Sequence, residues 1–126
     1  MKIHGKILFV VVNLLLLAAG CLGSKNTSTE KTVPVATVVV IMKDDKYEPE
    51  NITIKKNIQV VFKNLGNTPN WPASNLHPTH GLYPEFDPLK GVEHGQEWSF
   101  VFDKVGSWKY HNHLNPSIRG IINVVE

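Results

Sequence analysis

One cysteine, Cys21, stands among 126 residues. A single thiol allows no intrachain disulfide and no thiolate zinc cage, which needs several cysteines. An excess of charge is missing too. The chain has 13 Lys and Arg against 11 Asp and Glu, but Lys2 and Lys6 lie in the first six positions. Without those two, the charges balance at eleven each. A chain so balanced offers no basic face for nucleic acid, and no nucleic-acid partner is expected. A membrane-spanning run is also lacking. The longest apolar stretch, Ile7 to Ala19, is about thirteen residues with Asn13 inside it, where a spanning helix needs roughly 20. No segment keeps a long helical period. No Ser/His/Asp order, phosphate loop or paired-carboxylate motif stands out, so an enzyme is not expected. At 42% hydrophobic and 19% charged, the chain is too apolar to be disordered.

What the sequence does have begins at its start. Met1 to Lys6 is short and basic, the apolar run follows, and Ala18-Ala19-Gly20 leads into Cys21. These are the proportions of a secretory signal peptide over residues 1–20. Its end resembles a lipobox, in which the cysteine becomes a lipidated N-terminus; Ala18 stands where Leu is usual. Residues 21–34 then read as a lipidated N-terminus and flexible tether, since Leu22 to Thr32 is rich in Ser, Thr, Lys and Gly. This organisation predicts a protein outside the cytoplasm, held to the membrane through the lipid on Cys21.

Residues 35–126 read as an all-β domain. Val35 to Met42 is a β-branched run expected to be a strand buried on both faces. Ile52, Ile54, Ile58, Val60 and Phe62 recur at even positions, the period of strands. Lys55-Lys56-Asn57 is the turn between them, with Asn57 suited to a left-handed conformation. Trp98, Phe100 and Phe102 alternate with polar residues, as do Trp108 and Tyr110 beyond a break at Val105-Gly106-Ser107. Gly120 to Val125 is a last apolar strand. Six or seven short strands separated by turns predict a sandwich or barrel.

Residues 65–95 are too long for an ordinary loop. They hold five of the eight prolines and His77, His80 and His94. Trp71, Leu76, Leu82, Tyr83 and Phe86 supply enough apolar surface to fold back on the sandwich. The stretch is expected to form an ordered lid with one short helical turn.

Two separated blocks carry a resemblance. Tyr47 to Lys56 with Val60-Val61-Phe62-Lys63-Asn64, and Gly106 to Asn112 through Ile118 to Val124, resemble the two halves of the cupredoxins, the blue-copper fold. That likeness implies a Greek-key β-sandwich with the Pro/His-rich lid as an insertion. It also implies copper, but the family's ligands are replaced. Aligned on Arg119-Gly120, Asn112 falls at the family's Cys position, Asn115 at its His and Ile118 at its Met. The remaining family His falls near Asn70. A blue-copper centre depends on thiolate ligation, and Cys21 is the only thiol.

Histidines stand out instead. Five of the six lie between positions 77 and 113. His111 and His113 form a His-x-His at a strand end, where a spacing of two puts both rings on one face. If Asn112 faces the position of the family's copper, this pair faces away from it. His77-Pro78-Thr79-His80 gives a second pair, stiffened by proline. His77, His80, His111 and His113 are therefore the candidate metal ligands. Glu85 and Asp87 are candidates to orient a ring or add an oxygen. His94 reads as an exposed turn residue, and Trp71, Trp98 and Trp108 as packing. Imidazole suits copper, zinc or nickel, and tetragonal nitrogen favours Cu(II). The expected function is binding or handling of copper, or another divalent metal, through histidines. The alternatives are a blue-copper-type electron carrier, or a metal-free module that meets an extracytoplasmic protein partner.

Overall fold

The computed structural model describes residues 36–126. The expected signal peptide, lipidated Cys21 and tether lie outside the described residues.

Among the described residues, eight strands form two four-stranded sheets. In chain order they are β1 (Thr37–Met42), β2 (Tyr47–Glu48), β3 (Asn51–Lys55), β4 (Ile58–Asn64), β5 (Pro72–Ser74), β6 (Glu97–Phe102), β7 (Gly106–Asn112) and β8 (Asn115–Val125). One sheet runs β2-β1-β4-β6 and the other β3-β8-β7-β5. The β1–β4 and β3–β8 pairs are parallel, while the other neighbours are antiparallel. The two sheets form the β-sandwich that the resemblance implies.

The period-two patterns explain the layers. Val60 and Phe62 of β4 and Ile54 of β3 point inward and are buried, with Ile52 and Ile58 half-buried beside them. Between β3 and β4, Lys56 and Asn57 carry the chain from one sheet to the other, and Asn57 has φ 67°. Asparagine tolerates that region better than most residues. β1 differs from expectation. It alternates, with Val40 and Met42 buried but Val39 47% exposed, because one face of its sheet covers the core and the other meets solvent.

Residues 65–95 are built into the sandwich. Tyr83, Phe86 and Val92 belong to the core cluster. The Phe86 ring lies within 5.0–5.7 Å, centroid to centroid, of Phe62, Trp98, Phe100, Phe102 and Tyr110. Burying a side chain of this size stabilises by about 1.5–3 kcal/mol. Asn64 ties the two ends of the segment together. Its buried amide donates to the Thr68 and Val92 carbonyls, its Oδ1 accepts from Gly66 N–H, and its carbonyl accepts from Gly95 N–H. In place of the expected helical turn stands a non-helical one, in which His80 N–H donates to the Leu76 carbonyl four residues earlier. The described residues contain no helix.

Candidate metal centre

β5 places the site. It is an edge strand, where a proline costs no ladder hydrogen bond, and it pairs antiparallel with β7. Pro72 lies opposite Asn112, Ala73 opposite His111 and Ser74 opposite Tyr110. One residue on, Asn75 N–H donates to the Lys109 carbonyl. The turn that follows therefore folds back beside β7, and this brings His77 and His80 to His111. His113 sits in the two-residue link between β7 and β8, and its N–H donates to the Trp71 carbonyl.

All four candidate ligands converge. One ring nitrogen from each of His77, His80, His111 and His113 lies within 4.8 Å of the others. His80 Nε2 is 2.9 Å from His113 Nδ1, and His77 Nδ1 is 3.3 Å from His111 Nε2. Nitrogens bound at about 2.0–2.1 Å to one ion span at most about 4 Å, so a shift of under about one ångström closes the set on a single ion.

The backs of two rings are held. His80 Nδ1 lies 2.5 Å from Asp87 Oδ2, and His111 Nδ1 lies 2.8 Å from Asn75 Oδ1. Each oxygen accepts the Nδ1 proton, which leaves Nε2 of both rings with a lone pair facing the cluster. Asp87 also accepts from the Trp71 indole N–H at 2.7 Å and from Leu89 N–H at 2.7 Å. Burial pushes the Asp87 carboxyl up, but bonds from His80, Leu89 and Trp71 outweigh it and hold the group below its ordinary 3.8. His80 is fixed on every side. Besides its ring bond and its N–H, its carbonyl accepts from the Ser74 hydroxyl at 2.9 Å, and the backbone sits at φ 53°, a region few residues other than glycine enter.

Electrostatics favour the neutral form of two rings, those of His111 and His113. Burial, then the neighbouring His80, His77, His113 and Arg119, push the His111 pKa down from 6.5 to about 4. Burial, His80 and His77 lower His113, with Asp87 opposing. Neutral imidazole is the form that binds metal.

Asn112 faces the other way. Its Oδ1 accepts from Trp71 N–H at 3.0 Å and from Leu114 N–H at 3.1 Å. This oxygen shapes backbone and offers no thiolate. Ile118 lies in the apolar core, Asn70 is buried and accepts from the Tyr47 hydroxyl, and exposed Asn115 accepts from Ser117. The blue-copper ligand set does not fit these residues.

The other sequence candidates separate cleanly. Asp87 orients a ring, whereas Glu85 is exposed and pairs with Lys104 at 3.0 Å. His94 stands in an exposed turn, its Nδ1 on the Gly66 carbonyl. Trp98 and Trp108 pack on the core. Trp71 does more than pack: its ring lies 4.5 Å from that of His113 and forms a wall of the site. Asn75 was not legible as a site residue, because its only sequence signal is that it stands two residues before His77.

The family model of the cupredoxin-like domain matches residues 10–124. The chain belongs to the cupredoxin-like family. The novel purple cupredoxin from Nitrosopumilus maritimus superposes with a TM-score of 0.61 at 20% identity, covering 70% of this chain and 99% of that one. A reduced, singly substituted amicyanin gives 0.62 at 23% identity, covering 75% of this chain and 87% of that one. The copper-containing nitrite reductase of Thermus scotoductus gives 0.59 at 21% identity, covering 71% of this chain but 22% of the reductase. At these identities the likeness is one of fold. No curated protein matches the sequence.

Proposed function

We propose that this cupredoxin-like domain binds one copper ion through His77, His80, His111 and His113, in a centre made of imidazole nitrogen and free of thiolate. The observation that carries this reading is the convergence of one ring nitrogen from each histidine within 4.8 Å. Two of the rings have their tautomers set from behind by Asp87 and Asn75, the outer-shell arrangement of metal-bound histidine. Nitrogen ligation favours copper over the oxygen-seeking cations, with zinc and nickel next. The role is binding or handling of the metal and not catalysis.

The domain acts outside the cytoplasm. The basic start, the apolar run and the small residues before Cys21 support export and lipidation, with the following polar stretch as a tether to the membrane surface. Mass analysis of the N-terminus of the chain from cells tests this part; a diacylglyceryl-modified Cys21 is the expected result, and an unmodified cysteine excludes the anchor.

For the metal, the purified metal-free chain is titrated with Cu(II). One equivalent binds tightly, and His80→Ala and His111→Ala each weaken binding by more than the roughly 10–100-fold typical of losing an outer-shell partner. No saturable binding to the unsubstituted chain would leave the domain as a metal-free interaction module.

A further inference from the structure

Arg119 is placed oddly for a residue beside a cation site. In the β7–β8 ladder it is the direct cross-strand partner of His111, so both side chains leave the same face of the sheet with Cβ atoms about 4.5–5.5 Å apart. A guanidinium there repels any cation held by His111. None of the ion pairs among the described residues includes Arg119, and the carboxylate of Glu50 lines a cavity with it without forming one. Its Nε donates to the Pro116 carbonyl at 2.9 Å, which steadies the group and leaves both Nη nitrogens free of that bond.

A cavity of about 250 Å³ opens at this point, lined by Asn75, Leu76, His77, His111, Pro116 and Arg119. No acidic residue lines it. It reaches two of the four clustered histidines, and on its side lies exposed His77. A second cavity of about 340 Å³ shares Asn75 and Arg119 and continues past Lys109 and Glu50. The first cavity therefore has a positive wall, an opening to solvent and contact with the histidine cluster. The planar fork of arginine matches a carboxylate or other oxyanion better than any neutral ligand.

We propose that this cavity binds a small oxyanion, carboxylate or inorganic, between the Arg119 guanidinium and the His77–His111 side of the metal centre. The anion offsets the repulsion between guanidinium and metal, and Arg119 is its recognition residue. The inference rests on the metal reading above and adds a ligand to it.

The test uses the copper-loaded chain with acetate and inorganic phosphate as probes, read by the Cu(II) EPR spectrum and by the side-chain NMR signal of Arg119 in a Cu(I)-loaded sample. Both anions are expected to act saturably, the tighter one identifying the carboxylate or the phosphate class. Arg119→Ala is expected to weaken the tighter anion by about tenfold or more while copper binds with unchanged stoichiometry, and Arg119→Lys to restore part of the loss, as a charge without the fork. No saturable anion effect on copper-loaded protein, or equal anion affinity in Arg119→Ala, overturns the inference and leaves the metal reading intact. Failure of the unsubstituted chain to take up copper, seen before any anion is added, overturns both.

Discussion

His80 and Asp87 are joined by a 2.5 Å contact between Nδ1 and Oδ2, and the opposite nitrogen of the same ring faces His113 at 2.9 Å. The carboxylate thus decides which nitrogen of His80 is free. Asp87→Asn keeps the size of the side chain but removes the charge and the certainty of an acceptor at that point. Copper affinity is expected to fall about 10–100-fold. Competition with a chelator of known affinity measures the loss, and a thermal melt of the metal-free variant shows whether the fold is retained.

The neutral state of His111 has a pH consequence. Its pKa is about 4 in the folded chain against an ordinary 6.5. Between those values the unfolded chain binds more protons at this residue than the folded one, so stability is lost as pH falls from 6.5 to 4 and this contribution is complete above 6.5. In the metal-free chain the His111 ring resonances are expected to titrate near pH 4 by NMR. A midpoint near 6.5, the ordinary value, would show that the ring is not desolvated.

Phe86 links the fold to the site. It is fully buried, its carbonyl accepts from Ser74 N–H, and Asp87 follows it directly. Phe86→Ala is expected to cost about 3–5 kcal/mol in urea unfolding and to weaken copper binding as well, because Asp87 loses its fixed approach to His80. Normal copper affinity in a destabilised variant would separate the two.

Colour distinguishes this centre from the family's blue one. Among the described residues there is no cysteine to give a thiolate, and the thiolate defines blue-copper electronic structure. The Cu(II)-loaded chain is therefore expected to lack an intense visible charge-transfer band, as absorption spectroscopy would show.

Sequence reached far into this structure, and its limits have physical causes. The alternation of Ile52, Ile54, Ile58, Val60 and Phe62 reports one-sided burial directly, so those strands were legible. The β-branched run in β1 hid its alternation, because valine fills the exposed position 39 as readily as the buried position 40. β5 was missed because Pro72-Ala73-Ser74 carries no strand propensity; its pairing comes from β7 beside it. The His pairs were visible by spacing, but their convergence depends on the β5–β7 register, which no local pattern encodes. Asp87 was a candidate by its place near the prolines, whereas Asn75 acts through a contact 36 residues away along the chain.

X-ray absorption at the copper edge of the loaded chain tests the four-histidine centre most directly. The expected spectrum is that of one copper with a nitrogen shell, the outer-ring scattering of four imidazoles and no sulfur, with a reduced imidazole count in His80→Ala. Sulfur in that shell, or a shell unchanged when all four histidines are replaced by alanine, would contradict it.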